Sequence, residues 1–201
     1  HDYRKNKNSI FNNNKVSNVF EGQMYIPGQC NICGMQTQFF YRDVTLWRES
    51  LNCERCSTTS RYRSIAKGIL RAVNELTGVK SQSLSALPRF NRKKLYVYDT
   101  QPPFYYDHCA YPLPDVLKAK DWIDVELSQY NPKQPLGEVF LNGFTNQNLE
   151  DLTFLDESFD IIITSDVMEH VRLDDLAHRE IYRVLKPGGI YIFTVLNDPT
   201  W

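Results

Sequence analysis

Long apolar runs are missing from this 201-residue chain. No stretch approaches the roughly 20 residues that span a bilayer, and the opening HDYRKNKNSIFNNNK lacks the apolar segment of a signal peptide. A cytoplasmic protein is expected. Glycine is scarce at 9 residues and cysteine stops at 5, which excludes collagen-like chains and disulfide scaffolds; 13% aromatic and 42% hydrophobic content excludes a disordered one. Net charge is small as well, with 23 Lys+Arg against 24 Asp+Glu. That balance hides an asymmetry. Residues 1–94 carry 16 basic and 6 acidic side chains and residues 95–201 carry 7 and 18, so a +10 half is joined to a −11 half.

Four regions follow along the chain. Residues 1–22 contain six Asn, several Lys and almost no apolar periodicity, so nothing offsets the entropy of ordering them and a flexible arm is expected. Residues 23–60 hold four of the five cysteines. Residues 61–93 form a basic helix and linker: Tyr62, Ile65, Ile69, Val73 and Leu76 recur at helical spacing, Thr58, Thr59 and Ser60 offer N-caps, and Gly78 offers a stop. From residue 94 short apolar strands at 95–99, 122–127, 159–165 and 189–195 alternate with loops and one helix over 174–186, which predicts an α/β fold with a parallel sheet covered on both faces.

Cys30-x-x-Cys33 and Cys53-x-x-Cys56 stand 19 residues apart, the spacing of a four-thiolate zinc site. Each C-x-x-C turn aims two sulfurs at one point, and the segment between them can fold back as a hairpin around Arg42-Asp43. About 27 residues cannot build a core, so structural Zn²⁺ would supply the folding free energy, on the order of 10 kcal/mol. Disulfides or a redox pair are the competing reading, disfavoured in a reducing compartment. Cys109 lies outside the cluster and reads as inert filler. The aromatics Phe39, Phe40, Tyr41 and Trp47 read as the ribbon's own core, with base stacking as the other use.

A second motif runs from Phe159 to Val195: an apolar strand ends in Ser165-Asp166, Val-Met-Glu-His follows, then a helix, then Lys186-Pro187-Gly188-Gly189 turning into another strand. Ser165 to His170 therefore lie at the carboxyl end of a sheet strand, where open α/β sheets bind ligands. The stretch NLEDLTFLDESFDIIITSDVMEHVRLDDLAHREIYRVLKPGGIYIFTV resembles the class I S-adenosylmethionine-dependent methyltransferases, specifically the type 11 group. The arrangement in front of it is similar to a bacterial subgroup with an N-terminal zinc ribbon, and the resemblance covers residues 28–196.

It implies a Rossmann-like sheet and S-adenosyl-L-methionine as cofactor. Carried over by position, the acid that holds the ribose hydroxyls is Glu126, with Asp124 the alternative register; Asn148 stands where an Asp meets the adenine amino group, and the backbone at Leu149 serves the ring. The loop after the first strand, Asp99-Thr100-Gln101-Pro102-Pro103, lacks the family's glycines, and Gln101 replaces the acid the zinc-ribbon subgroup carries there. Asp99, Gln101 and Ser165 complete the expected cofactor site. His170 has two readings, a base for the acceptor or, with Glu169, a cap of the following helix; Asp166 divides in the same way between the site and capping.

Arg63, Lys67 and Arg71 repeat every four residues, with Arg61, Arg89, Arg92, Lys93 and Lys94 nearby. This stripe is either a solvated face or a site for a nucleic acid or another phosphate-bearing ligand. The chain begins at His1 and ends at Trp201, just after the fifth expected strand, so the methyltransferase core is expected to be incomplete at its C-terminus, with an exposed sheet edge or a pairing chain. Three functions are compatible with these residues: methyl transfer to a small-molecule or saccharide acceptor, methylation of RNA, or a non-catalytic zinc-containing binding module.

Overall fold

A computed structural model describes residues 25–41, 49–106 and 109–195. The expected flexible arm, Trp47, and the hairpin tip at Arg42-Asp43 lie outside the described residues. Strands β1 (Tyr25–Gln29), β2 (Gln36–Phe40) and β3 (Asn52–Cys53) form an antiparallel ribbon in that order. Helix α1 (Ser60–Thr77) follows. Then come β4 (Leu95–Asp99), a small hairpin of β5 (Phe104–Tyr106) and β6 (Cys109–Tyr111), helix α2 (Leu113–Lys118) and β7 (Ile123–Gln129). The chain continues through β8 (Thr145–Asn146), β9 (Phe159–Ser165), a 3-10 turn (Met168–His170), α3 (Asp174–Val184) and β10 (Leu185–Thr194).

Five strands make one parallel sheet in the order β8-β7-β4-β9-β10. Numbered within the sheet, this is 3-2-1-4-5: the chain adds strands to one side of β4, then crosses to the other. The crevice at that reversal is where open α/β sheets bind ligands. All seven residues of β9 are buried. Its unbroken apolar run has that cause, since Ile161 and Ile163 face one layer and Ile162 the other.

One core is continuous from the ribbon to the sheet. Cys30, Ile32, Cys53 and Cys56 cluster with the buried face of α1 and with Leu95, Val97, Ile161 and Ile163. The expected helix period is what seats α1, whose Tyr62, Ile65, Ala66, Ile69, Ala72 and Val73 are buried. A Cβ on Gly68 would stand 3.2 Å from Ile192 of β10, so glycine allows this close approach. Gly78 ends the helix in the left-handed conformation, its N–H donating to the Asn74 carbonyl at 2.8 Å. The opposite sheet face packs Tyr98, Leu149, Phe159 and Ile162 against Ala177, Ile181 and Val184 of α3.

Three features differ from the sequence expectation. The β4–β7 connection is not a loop but a hairpin and a short helix. Strand β7 runs two residues further, to Gln129, because Ser128 and Gln129 pair with Thr145 and Asn146. Arg63, placed on an exposed stripe by its helical spacing, is instead half-buried: its guanidinium donates to the carbonyls of Leu51 and Thr58 at 2.5 and 2.9 Å and lies over the Phe39 ring. The ribbon folds over the first turn of α1 and takes Arg63 as a strut, leaving Lys67 and Arg71 exposed. On the far side, β10 has one strand neighbour among the described residues, and Phe193 is exposed on it.

Asp160, at the start of β9, is 2% exposed and pairs with Lys93 at 3.0 Å and Lys186 at 2.7 Å, while accepting the Tyr96 N–H at 3.0 Å. Burial raises its pKa, but Lys186, the Tyr96 amide and Lys93 together outweigh burial and hold the carboxyl below its ordinary value. The stabilisation is present above the ordinary carboxylate pKa and is lost as pH falls through the lowered one. Asp160→Ala is expected to cost about 2 kcal/mol at pH 7, because one amide loses its acceptor and two lysines lose a partner. Urea unfolding with a lower midpoint and unchanged slope checks this.

Candidate active site

Two chemical centres emerge from this architecture. In the first, the Sγ atoms of Cys30, Cys33, Cys53 and Cys56 all lie within 4.8 Å of one another. Cys30–Cys56 is 3.8 Å and Cys33–Cys53 3.9 Å, far beyond a disulfide bond. A tetrahedron with metal–sulfur bonds of ~2.3 Å has sulfur–sulfur edges of ~3.8 Å. The donor set therefore fits Zn²⁺ in number, type and spacing.

The two turns that deliver these sulfurs are copies of each other. In the first, the Gly34 N–H donates to the Cys30 carbonyl at 2.8 Å and the Cys30 N–H to Met35 at 3.0 Å. In the second, Ser57 donates to Cys53 at 2.8 Å and Cys53 to Thr58 at 2.9 Å. Both residues after the second cysteine are left-handed, Gly34 at φ 76° and Ser57 at φ 55°. A Cβ on Gly34 would come within 2.8 Å of two serine hydroxyls, so this position also needs the missing side chain. Hydrogen bonds exchanged within the cluster push the Cys30 thiol down and the Cys56 thiol well up, the behaviour of sulfurs competing for negative charge. Cys109 lies apart, partly buried against the main core.

The second centre is a cavity of about 650 Å³ at the carboxyl ends of the strands. Tyr98 and Thr100 from β4 and its loop, Ser128 to Tyr130 from the end of β7, Gln147 to Glu150, and Val167, His170, Val171 and Arg172 line it. The Tyr98 and Ser128 hydroxyls bond at 2.8 Å across its base. Asn148 and Leu149 are thus in the cavity, with the Asn148 Oδ1 accepting the Glu150 N–H at 3.1 Å and retaining a second lone pair. His170 is exposed at the rim.

Other expected site residues fall elsewhere. Glu126 accepts from the Thr145 hydroxyl and, with Asp124, lines a second groove of about 520 Å³ beside Phe154 and Phe159. Asp124 pairs with Lys94 at 2.8 Å. Because β7 extends to Gln129, its carboxyl end reaches the cavity through Ser128, Gln129 and Tyr130, not through Glu126. Ser165 is buried and accepts from the Thr194 hydroxyl at 3.4 Å. Asp166 adopts φ 53°, accepts from Thr194 at 3.0 Å and pairs with Arg61.

Asp99 is fully buried at the end of β4, accepting the Gln101 N–H at 3.0 Å and the Tyr111 hydroxyl at 2.8 Å. Burial pushes its carboxyl up to about 7 against these two donors. It shapes the loop from below, while Thr100 and Pro102 of that loop face the cavity. The Gln101 Oε1 is buried without a hydrogen-bond donor among the described residues.

The sequence reading did not include Tyr98, Ser128, Gln147, Val167 or Arg172. Tyr98 and Val167 neighbour the motifs and were within reach of it. Gln147 was not, because it is placed by the two-residue strand β8. Glu150 was also missed: one carboxylate oxygen accepts the N–H groups of Arg172 and Leu173 at 2.9 and 3.0 Å, fixing the chain where it enters α3.

Part of this chain is similar in sequence to known proteins. The family described as a methyltransferase domain, type 11, matches residues 117–193. A demethylmenaquinone methyltransferase of Streptomyces griseus subsp. griseus is 40% identical over 50 residues, 25% of this chain and 22% of that protein. The ubiquinone/menaquinone biosynthesis C-methyltransferase UbiE of Hydrogenovibrio crunogenus is 48% identical over 46 residues, 23% and 18% of the two chains. That of Haemophilus ducreyi is 36% identical over 64 residues, 32% and 25%. The chain thus matches about a quarter or less of the length of these curated relatives. Among solved structures, the cyclase SpnF aligns over 65% of this chain and 45% of its own at 20% identity, with a TM-score of 0.39.

The parallel sheet in the order 3-2-1-4-5, with a cavity at its reversal, is consistent with a Rossmann-like methyltransferase fold, and the segment from the end of α2 into β10 matches a methyltransferase domain. The matching domain is the one described as type 11, and a four-cysteine cluster precedes the matched segment. No helix among the described residues is long and apolar enough to cross a membrane.

Proposed function

We propose that this chain transfers a methyl group from S-adenosylmethionine to a small-molecule acceptor, and that its four cysteines hold a structural Zn²⁺. The observation that carries the reading is the cavity at the strand reversal, which joins the loop after β4 to the segments before and after β9. Bound there, S-adenosylmethionine supplies an electrophilic methyl group on a sulfonium. The chain's own contribution is alignment and proton management. Leu149, Val167 and Val171 offer apolar walls for the adenine, and Gln147 and Asn148 polar edges. His170 at the rim is suited to take the proton that an oxygen, nitrogen or activated carbon acceptor sheds.

The acceptor reading is drawn from two directions. The relatives' names concern quinone methylation, so a quinol ring is the first acceptor to test and a saccharide the second. RNA is the weaker candidate, because Arg63 is committed to the ribbon and the basic stripe is broken. Calorimetry of the zinc-loaded chain with S-adenosylmethionine is expected to give one site per chain, and labelled methyl groups are expected to appear on a quinol in preference to saccharide or RNA. A folded, zinc-loaded chain that releases no heat would overturn the methyltransferase reading.

A further inference from the structure

Arg61 adds a polar link between elements that otherwise meet through the apolar core. It occupies the second position of α1, and that first turn is built on the ribbon. The Ser60 N–H donates to the Ser50 carbonyl at 3.1 Å, Arg63 grips Leu51 and Thr58, and the Asn31 side-chain amide donates to the Arg63 carbonyl at 2.8 Å. The Cys53–Cys56 turn thereby sets where Arg61 starts. Its side chain is 13% exposed and reaches away from the cysteines toward the carboxyl edge of the sheet.

There the guanidinium makes three kinds of contact. One terminal nitrogen pairs with Asp166, and Nε meets Glu49 at 2.8 Å. The other terminal nitrogen donates to Glu49 at 3.2 Å and to the Tyr62 hydroxyl at 2.6 Å. Burial pushes the Tyr62 phenol up to about 12, and Arg61 and the nearby Gln101 side chain work against that rise. Arg61 therefore touches the corner after β9 directly, and the Tyr62 phenol it holds stands near Gln101 of the loop after β4. These are the two strands that flank the reversal of the sheet. A planar fork of donors spans such a gap; a lysine ammonium reaches one partner at a time.

Asp166 is the sensitive end of this link. A non-glycine residue at φ 53° is unfavourable unless its surroundings hold it. Its amide donates to the Thr194 carbonyl at 3.0 Å, and its carboxylate is shared between Thr194 and Arg61. The residues immediately after it, Val167, His170, Val171 and Arg172, form one wall of the cavity. A rotation of Asp166 back to the right-handed region would swing that wall.

We infer that Arg61 is a positioning residue: it transmits the fixed geometry of the four-cysteine centre to the Asp166 corner and the Gln101 loop, and so sets the shape of the cofactor cavity. The inference rests on the proposed reading that S-adenosylmethionine occupies this cavity. It separates Arg61 from the buried face of α1, which holds the helix whether or not Arg61 is present.

The test uses the full chain loaded with zinc. Arg61→Ala is expected to keep its metal and its cooperative melt, to bind S-adenosylmethionine roughly tenfold more weakly, and to speed amide hydrogen exchange at 167–172 while α1 and β9 exchange as before. Arg61→Lys, which keeps a positive charge on Asp166 but gives up the second contact, is expected to recover only part of the loss. Asp166→Asn tolerates the left-handed backbone and serves if Arg61→Ala does not fold. It is expected to loosen the same segment, and combining the two is expected to add little, as for residues acting through one contact. Unchanged affinity and exchange in metal-loaded Arg61→Ala or Asp166→Asn would overturn the inference, as would no recovery in Arg61→Lys or full additivity in the double variant. If wild type binds no S-adenosylmethionine, the functional reading fails, and the exchange measurement, which needs no ligand, still decides the role of Arg61.

Discussion

Cys53→Ser is expected to abolish metal binding and, with it, the cooperative unfolding of the sheet as well as the ribbon. Loss of one thiolate from a structural zinc site forfeits much of a binding free energy on the order of 10 kcal/mol. That is comparable to the full stability of an ordinary domain, about 5–15 kcal/mol. The damage spreads because Cys53 and Cys56 are members of the same buried cluster as Ile65, Ile69, Val97 and Ile161. Metal analysis paired with a thermal melt of the purified protein checks it, and Cys109→Ser, outside the cluster, is the control expected to retain one metal per chain. A Cys53→Ser chain that lacks metal yet melts as wild type does would show that the ribbon carries no stability for the rest.

The second large effect concerns pH. Asp99 has its carboxyl raised to about 7 by burial, from a model-compound value of 3.8. Between these values the folded chain holds a proton that the unfolded chain has released. Stability therefore falls as pH rises through this window, by about 4 kcal/mol at most at 1.36 kcal/mol per unit. Asp99→Asn is neutral throughout, and its amide can still accept the Gln101 N–H while donating to a rotated Tyr111 hydroxyl. Urea unfolding at intervals from pH 4.5 to 8 is expected to show a declining stability in wild type and a flatter one in Asp99→Asn. Parallel curves would mean that Asp99 is not the titrating group.

Legibility from sequence follows the range of the interactions. Strands β4 and β9 and helix α1 were readable to within a residue because each carries its signal internally, as a continuous apolar run or a helical period ended by Gly78. The four-cysteine cluster was readable because two C-x-x-C turns are local structures whose chemistry needs no wider context. The end of β7 was not, since Ser128 and Gln129 become strand only by pairing with the two residues of β8, some sixteen positions later. That shift is what carried the cavity wall from Glu126 to Ser128, Gln129 and Tyr130. Arg63 was misplaced for a similar reason. Its helical phase with Lys67 and Arg71 is real, but a ribbon from outside the helix covers its first turn. The Arg61–Asp166 pair spans 105 residues and has no sequence signature.

The order of strands in the sheet also has a kinetic consequence. Strand β4 finds its neighbour β9 only after more than 60 residues have intervened, and parallel pairings of that range are slow to form. The four cysteines lie within residues 30–56, so their turns can close while the sheet's later strands are still being synthesised. With Zn²⁺ in the proposed site, metal capture would precede assembly of the sheet, and the first turn of α1 would be in place as a template before β9 and β10 arrive against it. Under the proposal of a structural Zn²⁺, the yield of folded protein would then follow zinc supply during synthesis, a control exerted before any cofactor or acceptor is met.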